Sequence, residues 1–202
     1  MSRVAVCATG VLVAAISAST SAGVVVVTGE NVFDLFAANA GVGTVTETFD
    51  AFGGFYNDPL AGSTGVVDWT ASATGGLFAD SGMMSTNNAN VSLSFSFEEG
   101  VVQGVGGTMF ATDINFNVIP AVIYISLADG TSYAGYITSA EQFVGFFSTD
   151  SSIVGMTIQA QSLVGANVFP TVDTLKFAAI PAPGALALLG LAGVAGVRGR
   201  RR

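Results

Sequence analysis

The clearest pattern in the chain lies at 91–97, where Val, Leu, Phe and Phe alternate strictly with three serines. Alternation of period two sends successive side chains to opposite sides of a strand, so one face of this segment is buried and the other is wet. Similar runs predict strands at 24–27, 42–49, 66–73, 75–79, 101–105, 108–118, 122–127, 132–137, 143–148, 153–160 and 174–178. Asp129-Gly130 between two of these runs predicts a hairpin, with the positive φ values of a tight turn. Helical spacing occurs once in the body, over 30–40, where Val32, Phe33, Phe36 and Ala37 share a face and Gly41 ends the segment. The stretches 52–65 and 80–90, rich in Gly, Asn, Asp and Ser, read as loops, and Gly106-Gly107 as a bulge or a close backbone approach. Some ten short strands at intervals of about ten residues predict an all-β fold, a single β-sandwich with one short N-terminal helix.

The two ends break this pattern. Residues 1–22 open with Arg3, continue through an apolar run over 4–16, and finish with small residues up to Thr20-Ser21-Ala22, the order of a secretory signal peptide. Residues 180–202 carry Pro181-Ala182-Pro183-Gly184, then a Leu/Ala/Gly/Val run to Val197, then Arg198, Arg200, Arg201 and Arg202. The prolines fix φ and remove two backbone donors, so no regular element passes through them. The run 186–197 is roughly 18 Å long as a helix, against a hydrocarbon core about 30 Å thick. It can span a membrane only by local thinning or by arginines reaching outward. The arginines place that end on the cytoplasmic side.

This order of motif, short apolar run and basic end resembles the PEP-CTERM sorting domain of exported bacterial proteins, with Ala182 where the family name has Glu. The resemblance implies a transient stay in the inner membrane, cutting near the motif by an exosortase-type membrane protease, and release or transfer to the cell surface or extracellular matrix. A second resemblance rests on the Asp129-Gly130 hairpin, Phe143-Val-Gly-Phe-Phe147, the strand at 153–160 and Val172-Asp173-Thr-Leu175. That order is similar to the jelly-roll bodies often carried by such proteins, which in outline are similar to carbohydrate-binding modules.

Charge sharpens the picture of the body, 23–179. All 14 acidic residues lie in it and Lys176 is its one basic residue, a net charge of −13 against −8 for the whole chain. Such a body repels nucleic acid and anionic lipid. Cys7, the one cysteine, falls in the leader, and the chain has no histidine. His-based triads, Cys-His nucleophiles and the usual zinc sites are therefore excluded.

What remains for chemistry is oxygen and aromatic rings. Paired carboxylates across a cleft are the requirement for glycoside hydrolysis; Asp113, Asp129, Asp150 and Asp173 sit instead near strand ends and turns, where turn formation and solvation account for them. Calcium takes several loop oxygens, and Glu98, Glu99, Asp113 and Asp173 are the candidates for a structural ion, without the register of an EF-hand loop. Sugar binding calls for exposed flat aromatics beside polar groups; Trp69, Tyr133 and Tyr136, with Tyr56, are the candidates. Gly104-Val-Gly-Gly107 and Gly53-Gly54 lack the Lys-Ser/Thr and the helix of a phosphate loop. The expectation is an exported, non-enzymatic cell-surface or matrix protein without a cofactor. The alternative is a module that binds exopolysaccharide.

Overall fold

The computed structural model describes residues 17–19 and 23–180. Sixteen strands and one helix occur among them: β1 (Ser17–Ser19), β2 (Val24–Thr28), α1 (Glu30–Ala40), β3 (Gly43–Glu47), β4 (Gly54–Tyr56), β5 (Leu60–Thr64), β6 (Val67–Ser72), β7 (Leu77–Asp80), β8 (Met83–Thr86), β9 (Leu93–Phe97), β10 (Val102–Thr112), β11 (Val118–Ile119), β12 (Ala121–Leu127), β13 (Ser132–Ile137), β14 (Phe143–Ser148), β15 (Gly155–Ser162) and β16 (Phe169–Ala179). They form two antiparallel sheets. One has the order β1-β13-β12-β15-β9-β6-β5; the other has the order β2-β14-β10-β16-β8-β7-β4, with β11 added to β10 and β3 to β16.

The fold is all-β, two sheets over a shared apolar core. Val67, Trp69, Leu93, Phe95, Ile123, Ile125 and Ile158 come to it from the first sheet; Leu77, Met84, Val105, Met109, Val172 and Phe177 come from the second. The alternation at 91–97 works as the sequence predicts: Leu93, Phe95 and Phe97 are buried while Ser94 and Ser96 face outward.

The helix forms where helical spacing predicts it. Gly41 adopts the left-handed conformation at its end (φ 70°), which costs glycine nothing for want of a Cβ. The amides of Gly41 and Val42 then close the helix onto the carbonyls of Ala38 and Ala37, each at 3.1 Å. Phe33, fully buried, enters a pad of small residues on the second sheet. A Cβ on Gly145 would lie 2.9 Å from the Phe33 ring, and one on Gly104 would lie 3.1 Å from it, so only glycine lets the ring seat. Phe143 and Phe147 flank it edge-on at 5.6 and 6.2 Å. Lys176, also on this face, pairs with Glu30 at 2.8 Å and Asp34 at 2.7 Å. Burial acts to lower the Lys176 pKa, but its hydrogen bonds to Asp34 and Glu30 outweigh that and hold the ammonium above its ordinary value.

Several sequence expectations are corrected. The stretch 52–65 is not a loop: it supplies β4 and β5, each the last strand of its sheet. An edge strand needs fewer apolar residues, which hides it from a hydropathy pattern. The stretch 80–90 contains β8, joined to β7 by Ser81 and Gly82, both at positive φ. The runs 101–105 and 108–118 merge only as far as Thr112, into the single strand β10; 113–117 turn the chain back so that Val118 pairs with Thr112 as part of β11, and β10 passes through Gly106-Gly107 with a register shift against β16 between Gly107 and Met109. A Cβ on Gly107 would meet the Thr174 carbonyl oxygen at 2.1 Å, so the pair marks a close approach within a continuous strand. The β12–β13 hairpin has a three-residue loop. Gly130 alone has positive φ, and Leu127 bonds both Gly130 and Thr131.

Ser17–Ser19 lie within the segment read as a leader, and there they pair with Ser132, Tyr133 and Ala134 on the edge of the first sheet. The rest of the leader, the sorting motif Pro181, Ala182, Pro183 and Gly184, the apolar run and the terminal arginines lie outside the described residues. Among the described residues, no helix is long and apolar enough to cross a membrane.

Candidate functional site

The aromatic candidates separate by strand parity. Trp69 is 2% exposed and Tyr133 4% exposed, both on the inner face of the first sheet. The indole of Trp69 packs edge-on to Phe49 at 5.8 Å and beside Phe52 at 5.5 Å, and its Nε1 donates to Thr64 Oγ1 at 3.1 Å. Burial raises the pKa of the Tyr133 phenol. Neither residue presents a flat face to a ligand; the reason is that odd-numbered positions of β6 and β13 point into the sandwich. Tyr136, on the opposite parity, is half-exposed on the outer face, and Tyr56 is half-buried against Phe52 at 5.9 Å.

The acidic candidates do not converge. The Asp113 carboxylate accepts hydrogen bonds from Asn117 Nδ2 (2.9 Å) and from the amides of Asn117 (2.9 Å) and Asn115 (2.8 Å). The Asn117 side chain, ahead of those amides, holds its pKa below the ordinary carboxylate range. Asp173 moves the other way: burial, then the charge of Asp50, raise it. Asp129 accepts from the Thr131 amide (2.8 Å) and hydroxyl within its hairpin, and Asp150 from the Thr149 hydroxyl at 3.1 Å. Glu98 and Glu99 are exposed in the turn after β9. Among the described residues, no group of three or more His, Cys, Asp or Glu could hold a metal ion.

The outer face of the first sheet is the chemically coherent surface. β9, β12, β13 and β15 carry no charged residue, in a body of net charge −13. Register aligns Ser132, Ser126, Thr157, Ser94 and Ser72 in one row across five strands. Adjacent strands lie about 4.8 Å apart, and within the row the Ser94 and Thr157 hydroxyls bond each other at 3.0 Å. The next rows are Ala134-Tyr124-Gln159 and Tyr136-Val122-Gln161. Tyr124, 40% exposed, stands in them, its phenol donating to Gln161 Oε1 at 3.2 Å. Gln159 Nε2 donates to Ser92 Oγ at 3.1 Å. Together with Asn90, these groups line a groove of about 300 Å³. Phenol, amides and hydroxyls on a flat uncharged sheet can hydrogen-bond and stack against a neutral hydroxylated polymer without paying for an unpaired charge. Of these residues Tyr136 is a sequence candidate, whereas Tyr124, Gln159 and Gln161 emerge only from the structure. Their signal was the even-numbered parity of 122–126 read together with 157–161.

Comparison with protein-family models, with curated proteins and with solved structures gives no match to this chain.

Proposed function

We propose that this chain is an exported, non-enzymatic cell-surface or extracellular-matrix protein, a jelly-roll-type β-sandwich delivered through its two ends. One observation carries the reading. A leader over 1–22, an acidic body over 23–179, and a tail of Pro181-Ala182-Pro183, apolar run and Arg198, Arg200, Arg201 and Arg202 follow one another in the order that export, membrane arrest and processing require. An exosortase-type protease is the partner at the tail and the inner membrane its transient location. A body of net charge −13 remains soluble and repels nucleic acid once outside. The test is intact mass measurement of the protein from its own host, fractionated into membrane, wall and medium. A species beginning near Gly23 and ending near Pro181 outside the membrane fraction supports the reading. A species retaining the terminal arginines in the inner membrane refutes processing.

A second reading, recognition of exopolysaccharide, is favoured by the uncharged outer face of β9, β12, β13 and β15. Tyr124, Gln159 and Gln161 are its contact residues, with Tyr136 beside them, in place of the buried Trp69 and Tyr133. Retention of the protein on a neutral polysaccharide column, compared with an acidic one, tests it.

A further inference from the structure

A second concavity lies on the second sheet, at the end of β10 away from the helix. It has a volume of about 260 Å³ and is lined by Phe78, Phe116 and Phe169 with Thr112, Asn87 and Asp113. That is just under the ~300 Å³ at which ordinary ligand pockets begin, so it accommodates one ring and no more. Phe78 and Phe116 make one wall, with centroids 6.0 Å apart. Phe116 holds its place at φ 61°, an unusual conformation for a bulky side chain. It is fixed by its amide bond to Asp113 O at 3.1 Å and by the return bond of the Asp113 amide to Asn117 O at 2.9 Å.

The polar groups of this cleft are rich in acceptors. At its floor, the hydroxyls of Thr112, Thr171 and Ser85 form a buried chain. Ser85 Oγ donates to Pro170 O at 3.2 Å, and Thr171 Oγ1 donates its single proton to Ser85 Oγ at 3.0 Å or to Phe169 O at 3.1 Å. In the 2.9 Å contact between Thr112 and Thr171 either hydroxyl can donate, and in both cases the Thr112 oxygen keeps a lone pair for an incoming donor. Asn87 uses one side-chain N–H on Gly75 O at 3.2 Å, which leaves its Oδ1 as an acceptor and one N–H as a donor. Asp113 Oδ1 takes two amides and Oδ2 takes one donor, so Oδ2 retains accepting capacity.

We propose that this cleft binds a single neutral sugar ring, the terminal or branch residue of a polysaccharide, with its C–H face on the phenylalanine wall and its hydroxyls donating to Thr112, Asn87 and Asp113. The inference rests on the polysaccharide reading and adds to it a residue-specific site. A uronic acid or a phosphorylated sugar is disfavoured, because Asp113 repels it and no cation lines the cleft to receive it. A quaternary ammonium ion meets the Asp113 charge and the ring faces but carries no hydrogen-bond donor for the acceptors.

The test is saturation-transfer NMR and titration calorimetry of the full-length exported protein with methyl glycosides of neutral hexoses, a methyl uronoside and tetramethylammonium, alongside the neutral polysaccharide. The expected result is transfer to a neutral glycoside, an affinity at least tenfold weaker in both Thr112→Val and Asn87→Ala, and no change in Leu35→Ala, exposed on α1 and outside both surfaces. Circular dichroism establishes that each variant is folded; Asn87, exposed on the rim, keeps the test informative if Thr112→Val unfolds. Polysaccharide binding that Tyr124→Ala weakens, with no glycoside binding in the cleft, overturns the inference while leaving the polysaccharide reading intact. Absence of binding to any glycan overturns both. Preference for the uronoside or the ammonium ion overturns the assignment of the cleft to neutral sugars.

Discussion

Replacing Gly62 by alanine tests whether Trp69 belongs to the core or to a ligand. Gly62 sits directly across from Trp69 in the β5–β6 pair, and a Cβ there would lie 2.2 Å from Trp69 Cζ2 and 2.6 Å from Cε2 and Cη2. Carbon atoms settle at about 3.5–4.0 Å, so the overlap exceeds an ångström. The ring has nowhere to retreat, since Phe49, Phe52 and Phe95 surround it within 5.5 to 6.2 Å and Nε1 is tied to Thr64. Overpacking of this kind costs typically ~1–3 kcal/mol, and an overlap this large against a fixed ring belongs at the upper end. Alanine is intrinsically better than glycine in a strand by about 0.5–1 kcal/mol. The net loss is therefore about 2 kcal/mol, or roughly 4–8 °C in Tm for a domain of this size. Thermal unfolding followed by far-UV circular dichroism measures it. The same substitution in a Trp69→Phe background, where the smaller ring vacates the overlap, is expected to be neutral or mildly stabilising, giving a coupling of about 2 kcal/mol. A Gly62→Ala protein that melts at or above the wild type, or whose cost persists unchanged beside Phe at 69, refutes the packing argument.

Asp173→Asn tests the raised carboxyl. Burial and the Asp50 charge lift its folded pKa, so the folded state loses stability as pH rises and this group ionises. The asparagine variant should melt higher than wild type at pH 7, with the difference vanishing below the ordinary carboxylate pKa; a gain constant from pH 3 to 7 counts against this. Gly145→Ala places a methyl 2.9 Å from the Phe33 ring, so it should loosen α1 and speed amide hydrogen exchange over 30–40 at least tenfold, with the first sheet unaffected. Tyr124→Ala, on the exposed face, should weaken retention on neutral polysaccharide several-fold while moving Tm by no more than a degree or two; unchanged retention removes that face from consideration.

Period-two alternation was legible wherever one face meets the core and the other meets water, as in β9 and β12. It failed where burial differs. β10 is buried along nearly its whole length, under α1 on one side and over the core on the other, so its pattern is continuous and its glycines look like breaks. β5 lies at an edge and reads Leu-Ala-Gly-Ser-Thr, too polar to stand out. The Ser81-Gly82 turn was visible as a dipeptide signal and passed over inside a polar stretch. Function followed the same division. Trp69 between Asp68 and Thr70 is ambiguous in sequence, because alternation gives two faces without saying which is inner. The face carrying Tyr124 and the cleft carrying Thr112 exist only once strands distant in sequence are set side by side.

The chain leaves the sandwich through β16, an eleven-residue strand hydrogen-bonded to β10 along one side and to β3 and β8 along the other. Immediately after it, the Ile180 amide is still bonded to Val101 O at 2.8 Å. A pull on the tail therefore runs along the strand axis, and the flanking hydrogen bonds resist together, in shear, instead of opening one after another like a zip. An edge strand such as β2 would peel under the same load. In a body tethered as proposed, a load on the tail would fall on a strand bonded on both sides.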